Sequence, residues 1–166
     1  MSPLSLSLLA ALACRQASDP AVALPRMQTL QPALARIAAR RVAYLRDQDW
    51  CRGIEYDRGH FSDSSHPSTC TLSGSPPSPL DAAAAQDLAT FTADIRAASI
   101  PVRWATFTYG PDGALAGADL DLDAGMFSGG HLRYVWAPSA APQDQGSEQQ
   151  VTPAGQGWYV VREDWN

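Results

Sequence analysis

Two cysteines, Cys51 and Cys70, constrain this chain more than any other feature, because a bond between them closes a loop of irregular composition. The stretch they enclose is rich in serine, glycine and aspartate and holds two of the three histidines, His60 and His66. Cysteine pairs form disulfides outside the cytosol and stay reduced inside it. We therefore predict, for an exported chain, a Cys51–Cys70 disulfide that stabilises the fold by about 3 kcal/mol.

The first fourteen residues favour export. Residues 4–13 are uncharged and mostly apolar, and they end in small residues before Cys14, a pattern typical of a secretory signal. This run is too short to span a bilayer as a helix, which takes about 20 residues. Ala11-Leu12-Ala13-Cys14 resembles the lipobox of bacterial lipoproteins, which implies that Cys14 carries a lipid. The alternatives are ordinary signal cleavage near Ala13 and an apolar helix of a cytosolic protein.

The length of 166 residues fits one compact domain, which we place at residues 29–166. Residues 1–14 form the export segment, and residues 15–28 contain Pro20 and Pro25 without a helical period, which predicts a flexible tether. The net charge of −5 argues against nucleic-acid binding, since that function needs a basic surface to neutralise phosphates. Membrane contact is expected only through a lipid on Cys14.

Apolar residues at steps of three and four predict two helices, which lie at residues 29–47 and 78–99. Thr29 caps the first helix, and Ser78 caps the second with Pro79 in its first turn. The second helix ends near Ser99, because Pro101 disfavours helical geometry at the residue before it.

After Pro101 the apolar period changes from helical to two, which predicts strands at 102–109, 114–123, 131–136 and 157–163. Residues 137–150 are rich in proline, serine and glutamine and are predicted to form a mobile loop. We therefore predict an α+β fold in which two N-terminal helices pack on a four-stranded antiparallel meander. A long disulfide-stapled loop, residues 50–77, is expected between the helices.

Two residue patterns raise the question of a metal site. Cys51, His60, His66 and Cys70 are all zinc-ligand types, but eight residues separate the first two, whereas structural zinc sites use closely spaced pairs. The aspartates at 119, 121 and 123 match the start of a calcium-binding EF-hand loop. Its diagnostic positions six and twelve are not met, since glycine falls at position seven and position twelve is a glycine. We predict no metal and no cofactor.

His60, His66 and Asp63 are the candidate catalytic residues, because histidine titrates near neutral pH and serves as a general acid or base. The sequence contains no G-x-S-x-G, no H-E-x-x-H and no glycine-rich phosphate loop. Polar residues on a solvated loop explain the group more simply. We therefore favour a protein that is not an enzyme.

Three further residues are candidates for contact with a ligand or partner. Arg41 lies within the apolar stripe of the first helix, where it either anchors an anionic ligand or packs its stem while its head reaches a surface acid. Trp136 and Trp158 belong to a group of sheet aromatics too numerous to be buried on one face.

These features favour a small bacterial envelope protein, lipid-anchored, secreted or periplasmic, that binds or inhibits another envelope protein. The absence of catalytic motifs and the aromatic sheet motivate this interpretation. The alternatives are a metal-dependent or His/Asp hydrolase that uses residues 55–66 and a cytosolic, acidic, immunity-type protein.

Overall fold

The computed structural model of the chain describes residues 17–63, 70–72, 76–123 and 130–164. These residues form three helices, which are α1 (Pro20–Gln28), α2 (Gln31–Arg40) and α3 (Ala82–Ala97). They also form nine strands, which are β1 (Val42–Gln48), β2 (Cys51–Tyr56), β3 (Gly59–Ser62), β4 (Ser78–Pro79), β5 (Val102–Tyr109), β6 (Leu115–Leu122), β7 (Gly130–Trp136), β8 (Gln149–Gly155) and β9 (Trp158–Asp164).

The strands form a single open sheet in the order β4-β3-β2-β1-β5-β6-β7-β9-β8. All neighbours are antiparallel except β3 and β4, which are parallel. The centre of the sheet is the β1–β5 pair, in which Leu45 lies opposite Ala105. Each of these two strands follows a helix and leads into a meander, so two helix-and-meander units meet at the centre.

The three helices lie on one face of the sheet, which we call the covered face. The strand registers place one apolar side chain of each central strand in a row across it: Ile54, Leu45, Ala105, Leu120, Tyr134 and Val160. These side chains form one core with Met27 of α1, Ile37 of α2 and Phe91 of α3. Burial of this apolar row drives the packing, since each buried large side chain contributes about 1.5–3 kcal/mol.

The prediction of two helices on a four-stranded meander is wrong. The first predicted helix stops at Arg40, because Arg41 takes a left-handed conformation (φ 58°) and turns the chain into strand β1. The prediction extended the helix to residue 47 because Leu45 also falls at helical spacing from Leu34. In the structure Leu45 instead alternates with Tyr44 and Arg46 across the two faces of β1.

Most of the remaining strands and the additional helix lie where loops were predicted. The 50–77 connection contains β2 and β3, and β4 follows it at residues predicted to begin the second helix. The glycine within β2 hid the alternation of that strand. The 15–28 tether contains α1, which Asp19 caps through Ala21 N–H and which buries Ala23 and Met27 in spite of Pro25. The predicted 137–150 loop leads into β8, which pairs along β9.

Other parts of the prediction are confirmed. Strands β5, β6, β7 and β9 lie within one or two residues of the predicted positions. Helix α3 buries Leu88, Phe91 and Ile95 as its period predicts, although Asp81 and not Ser78 is its N-cap. Cys51 and Cys70 form a disulfide.

Both edges of the sheet are blunted against pairing with another strand. At β8 the loop before the strand caps the edge, since Asp144 accepts from Val151 N–H at 3.2 Å and Gln145 N–H donates to the Gln149 carbonyl. Pro153, further along β8, has no N–H to donate. At the opposite edge β4 has only two residues and ends in Pro79. Such devices prevent edge-to-edge association.

Candidate functional site

The face of the sheet opposite the helices, which we call the open face, carries mainly charged and aromatic side chains, together with Val135 and the buried Val161. The covered face carries mainly apolar ones. Its central row runs through four adjacent strands, with Arg46 opposite Trp104, Trp104 opposite Asp121 and Asp121 opposite Arg133. No helix in the described part of the chain packs on this face. The register therefore gathers residues from distant parts of the sequence into one surface.

Aromatic rings and guanidinium groups alternate across β1 and β5. The Arg46 guanidinium lies 4.3 Å from the Trp50 ring centre and 5.4 Å from that of Trp104. The Trp104 ring also contacts the Arg103 guanidinium, which lies 4.6 Å from its centre. Cations over aromatic faces attract the ring quadrupole. The stack ends in Trp50, which is 50% exposed and lies in the β1–β2 turn. We call these four residues the arginine–tryptophan stack.

Asp121 orients the inner end of this stack. Its carboxylate is almost fully buried, and its Oδ1 accepts from Arg103 Nε at 2.9 Å and from Nη2 at 2.6 Å. Its Oδ2 lies 2.8 Å from His131 Nδ1, which is a hydrogen-bond distance. Arg103 reaches this face because the register between β5 and β6 shifts between Val102 and Trp104.

A second ion cluster lies further along the open face. Arg133 donates to Asp119 at 2.5 Å, to Glu163 at 2.6 Å and to Gln149 at 3.2 Å. Burial raises the pKa of Asp119 above its ordinary value, and the neighbouring Arg133 guanidinium opposes that rise. Two carboxylates thus bind Arg133, although its buried Nε has no hydrogen-bond partner among the described residues. Arg103 has only Asp121 as an acidic partner in the same part of the chain.

The disulfide ties a third segment to the open face over β2. Cys70 lies so close to this strand that a Cβ on Gly53 would come within 3.0 Å of the Cys70 carbonyl oxygen. Leu72 N–H then donates to Glu55 Oε1 at 2.5 Å, and the Leu72 side chain is 58% exposed. The two large hydrophobic side chains that the described chain exposes, Trp50 and Leu72, therefore both lie next to the disulfide.

Two of the three candidate catalytic residues, His60 and Asp63, lie in the described part of the chain and contact different groups. The His60 ring lies on β3 with Nε2 3.2 Å from the Pro76 carbonyl oxygen. Asp63 accepts from Arg52 N–H at 3.2 Å and pairs with the Arg52 guanidinium. His66 and the predicted lipidation site Cys14 lie outside the described residues. No group of three potential metal-ligand side chains occurs in the part of the chain that the structure describes.

Arg41 joins three turns at one end of the sheet. Its Nε donates to Asp57 at 3.1 Å, its Nη1 donates to the Gly113 carbonyl at 2.6 Å, and its guanidinium lies 4.1 Å from the Tyr109 ring centre. Of the two interpretations of Arg41, this geometry fits a packed stem with its head on a surface acid.

The predicted contact aromatics lie away from the open face. Trp158 is 1% exposed within the core and presents no surface to a partner, and Trp136 packs beside that core. The sequence pattern missed Arg103, Trp104, His131 and Arg133. The alternating aspartates of β6 were the one sequence signal of a polar face. His131, which lies near the start of β7, is the residue that the sequence could have paired with them.

One cavity of about 160 Å³ lies outside the open face, between α3 and the ends of β1 and β5. Its wall is mixed in polarity, and Asp47 and Arg96, which pair at 2.8 Å, form part of it. No helix in the described ranges is long and apolar enough to cross a bilayer.

Comparisons with protein-family models, with curated proteins and with solved structures found no match.

Proposed function

We propose that this chain is a non-enzymatic binding module of the bacterial envelope and that it binds another envelope protein through the open face. The observation that carries the proposal is the open face itself, which combines the arginine–tryptophan stack with two exposed apolar side chains, Trp50 and Leu72. Aromatic residues and arginine are the types that dominate binding energy at protein interfaces.

The sheet edges favour the face over strand addition. A partner that adds a strand needs a row of unpaired backbone groups at a sheet edge. Pro79 interrupts such a row at one edge, and Pro153 and Asp144 interrupt it at the other. The open face has partly exposed side chains on several strands, with Thr106 near its centre. This distribution supports a broad protein contact over a small enclosed ligand site.

The compartment rests on the disulfide. The Cys51–Cys70 bond indicates an oxidising, non-cytosolic location, since thiols in the cytosol are kept reduced. The lipid anchor on Cys14 is part of the proposal and is supported by the lipobox-like sequence before it. Labelling of cells with an alkyne fatty acid tests the anchor: the wild-type chain takes up label, and Cys14→Ser does not.

Photo-crosslinking in intact source cells tests the binding function. A photoreactive amino acid replaces Thr106 on the open face, and a matched control replaces Ala89, which is exposed on α3. We expect the Thr106 position to give one discrete adduct with an envelope protein and the Ala89 position to give none. The same adduct from both positions, or no adduct from Thr106, contradicts the proposal.

A further inference from the structure

Arg103 is held in a fixed orientation with one edge of its guanidinium directed away from its acidic partner. Asp121 takes the Nε and Nη2 hydrogens, and the guanidinium carbon lies 4.6 Å from the Trp104 ring centre. A guanidinium has five N–H donors, and Nη1 donates to no group in the described part of the chain. The Arg103 side chain as a whole is 28% exposed.

The comparison with Arg133 separates this arrangement from an ordinary ion pair. Arg133 is similarly accessible, at 23% exposure, but Asp119 and Glu163 bind it from two sides. Arg103 shares a single buried carboxylate with His131. Burying an ion pair of this kind often adds little net stability, because the desolvation cost offsets the attraction. The pair does fix the fork of Arg103, which is what a binding residue needs.

The neighbours of Arg103 define the ligand chemistry. A carboxylate is planar and matches the fork of an arginine, and its single charge is repelled less than a phosphate dianion by Asp119 and Glu163 further along the face. Trp104 and Trp50 offer apolar surface beside the charge. The surroundings therefore fit a carboxylate that is joined to an apolar group.

We infer that Arg103 is the anion-binding residue of the open face and that it receives a carboxylate of the protein partner. The carboxylate comes from a C-terminus or an acidic side chain, and an apolar group of the same segment lies on Trp104. Asp121 and His131 are positioning residues, because they orient Arg103 and need not touch the ligand. This inference rests on the proposed binding function.

A matched pair of small probes tests the site on the full chain with its disulfide intact. N-acetylphenylalanine carries the carboxylate and ring, and its primary amide differs only in the charge. We expect the acid to shift the NMR signals of Arg103 Nε–H and of the Trp104 indole saturably and to bind at least about tenfold more tightly than the amide. Inorganic phosphate should bind more weakly than the acid. Equal binding of acid and amide, or tighter binding of phosphate, overturns the inference.

Variants locate the effect. Arg103→Gln should lose the preference for the acid, whereas Arg162→Gln, an exposed arginine on the other side of the sheet, should keep it. If Arg103→Gln fails to fold, the double variant Arg103→Gln with Asp121→Asn replaces the ion pair by two amides that can bond to each other, and it should also lose the preference. A preference that survives in a folded Arg103 variant overturns the inference.

The two proposals fail separately. A Thr106 adduct in cells without any acid preference in solution leaves the binding function standing and removes the carboxylate site. A carboxylate preference that depends on Arg103, without an adduct in cells, retains the site and removes the protein partner.

Discussion

The two faces of the sheet use the same strands for different purposes. On the covered face a row of apolar side chains from Ile54 to Val160 packs under three helices and makes the core. On the open face the alternate side chains of those strands form the arginine–tryptophan stack and two ion clusters. Because side chains of a strand alternate between faces, core residues and residues of the proposed binding surface are separated by a single residue step. Changes on one face should therefore leave the other largely intact.

Alkaline pH tests the polar exceptions on the covered face and has the largest expected effect. Burial first of all raises the pKa of Tyr56, Tyr109 and Tyr134 to about 12. Each phenol donates a hydrogen bond, to Asp87, to the Val42 carbonyl and to the Ala17 carbonyl respectively. A raised pKa means that the contribution of each phenol is complete below about pH 10, where unfolded tyrosine stays neutral, and is lost as pH rises toward 12.

We expect the free energy of unfolding to fall above about pH 10 by about 1.4 kcal/mol per pH unit for each phenol. Circular dichroism and tyrosinate absorbance should then change together in one transition, and Tyr134→Phe should move it to higher pH. If these phenols ionise with the ordinary tyrosine pKa of about 10 while the chain is still folded, the expectation is contradicted.

Phe91→Ala tests the covered face directly. Phe91 is buried at the centre of α3, and its truncation leaves a cavity in the core. We expect a loss of about 3–5 kcal/mol in the free energy of unfolding, measured by urea denaturation. The matched open-face variant Thr106→Ala should cost less than about 1 kcal/mol. Similar losses from both variants would show that the faces are not energetically separate.

The disulfide tests how far the open face supports the fold. Cys51→Ala with Cys70→Ala should lose about 3 kcal/mol, because the unfolded chain regains the freedom of the closed loop. Alanine is chosen over serine because serine would place two hydroxyl groups at these buried positions. We expect the slope of the unfolding free energy against urea to rise slightly, since an unfolded chain without the bond exposes more surface. Reduction of the wild-type chain should give a similar loss, and complete unfolding of the double variant would contradict the estimate.

The cap of α3 gives the smallest expected change. Asp81 accepts from Ala84 N–H at 2.6 Å, and that bond is the first cause of its lowered pKa. Asp81→Ala should lower the melting temperature by about 2–4 °C, and Asp81→Asn should retain most of the cap. A lowered pKa means that the contribution is present above the unfolded pKa and lost as pH falls. The difference between wild type and Asp81→Ala should therefore shrink in acid, and a constant difference would argue against the cap.

The sequence predicts several of the local helices and strands but little of how they pair and pack. Helix α3 and strands β5, β6, β7 and β9 follow from period and punctuation, and the disulfide follows from the cysteine count. The left-handed turn at Arg41 leaves no such trace, because arginine has no preference for it. The open-face cluster was beyond reach for a different reason: it depends on the pairing of β1 with β5 and on the register shift beside Trp104. Both are set by tertiary contacts.

The pairing of β1 with β5 also sets how the chain must fold. These strands join residues such as Tyr44 and Thr106, which are about 60 positions apart, whereas the pairs on either side are joined by short turns. Each meander can form locally, but the centre of the sheet closes only after a long loop has been ordered. Until then β1 and β5 are unprotected edges, unlike β4 and β8. Slow closure at this seam, and association of chains through it, are the expected kinetic hazards of refolding.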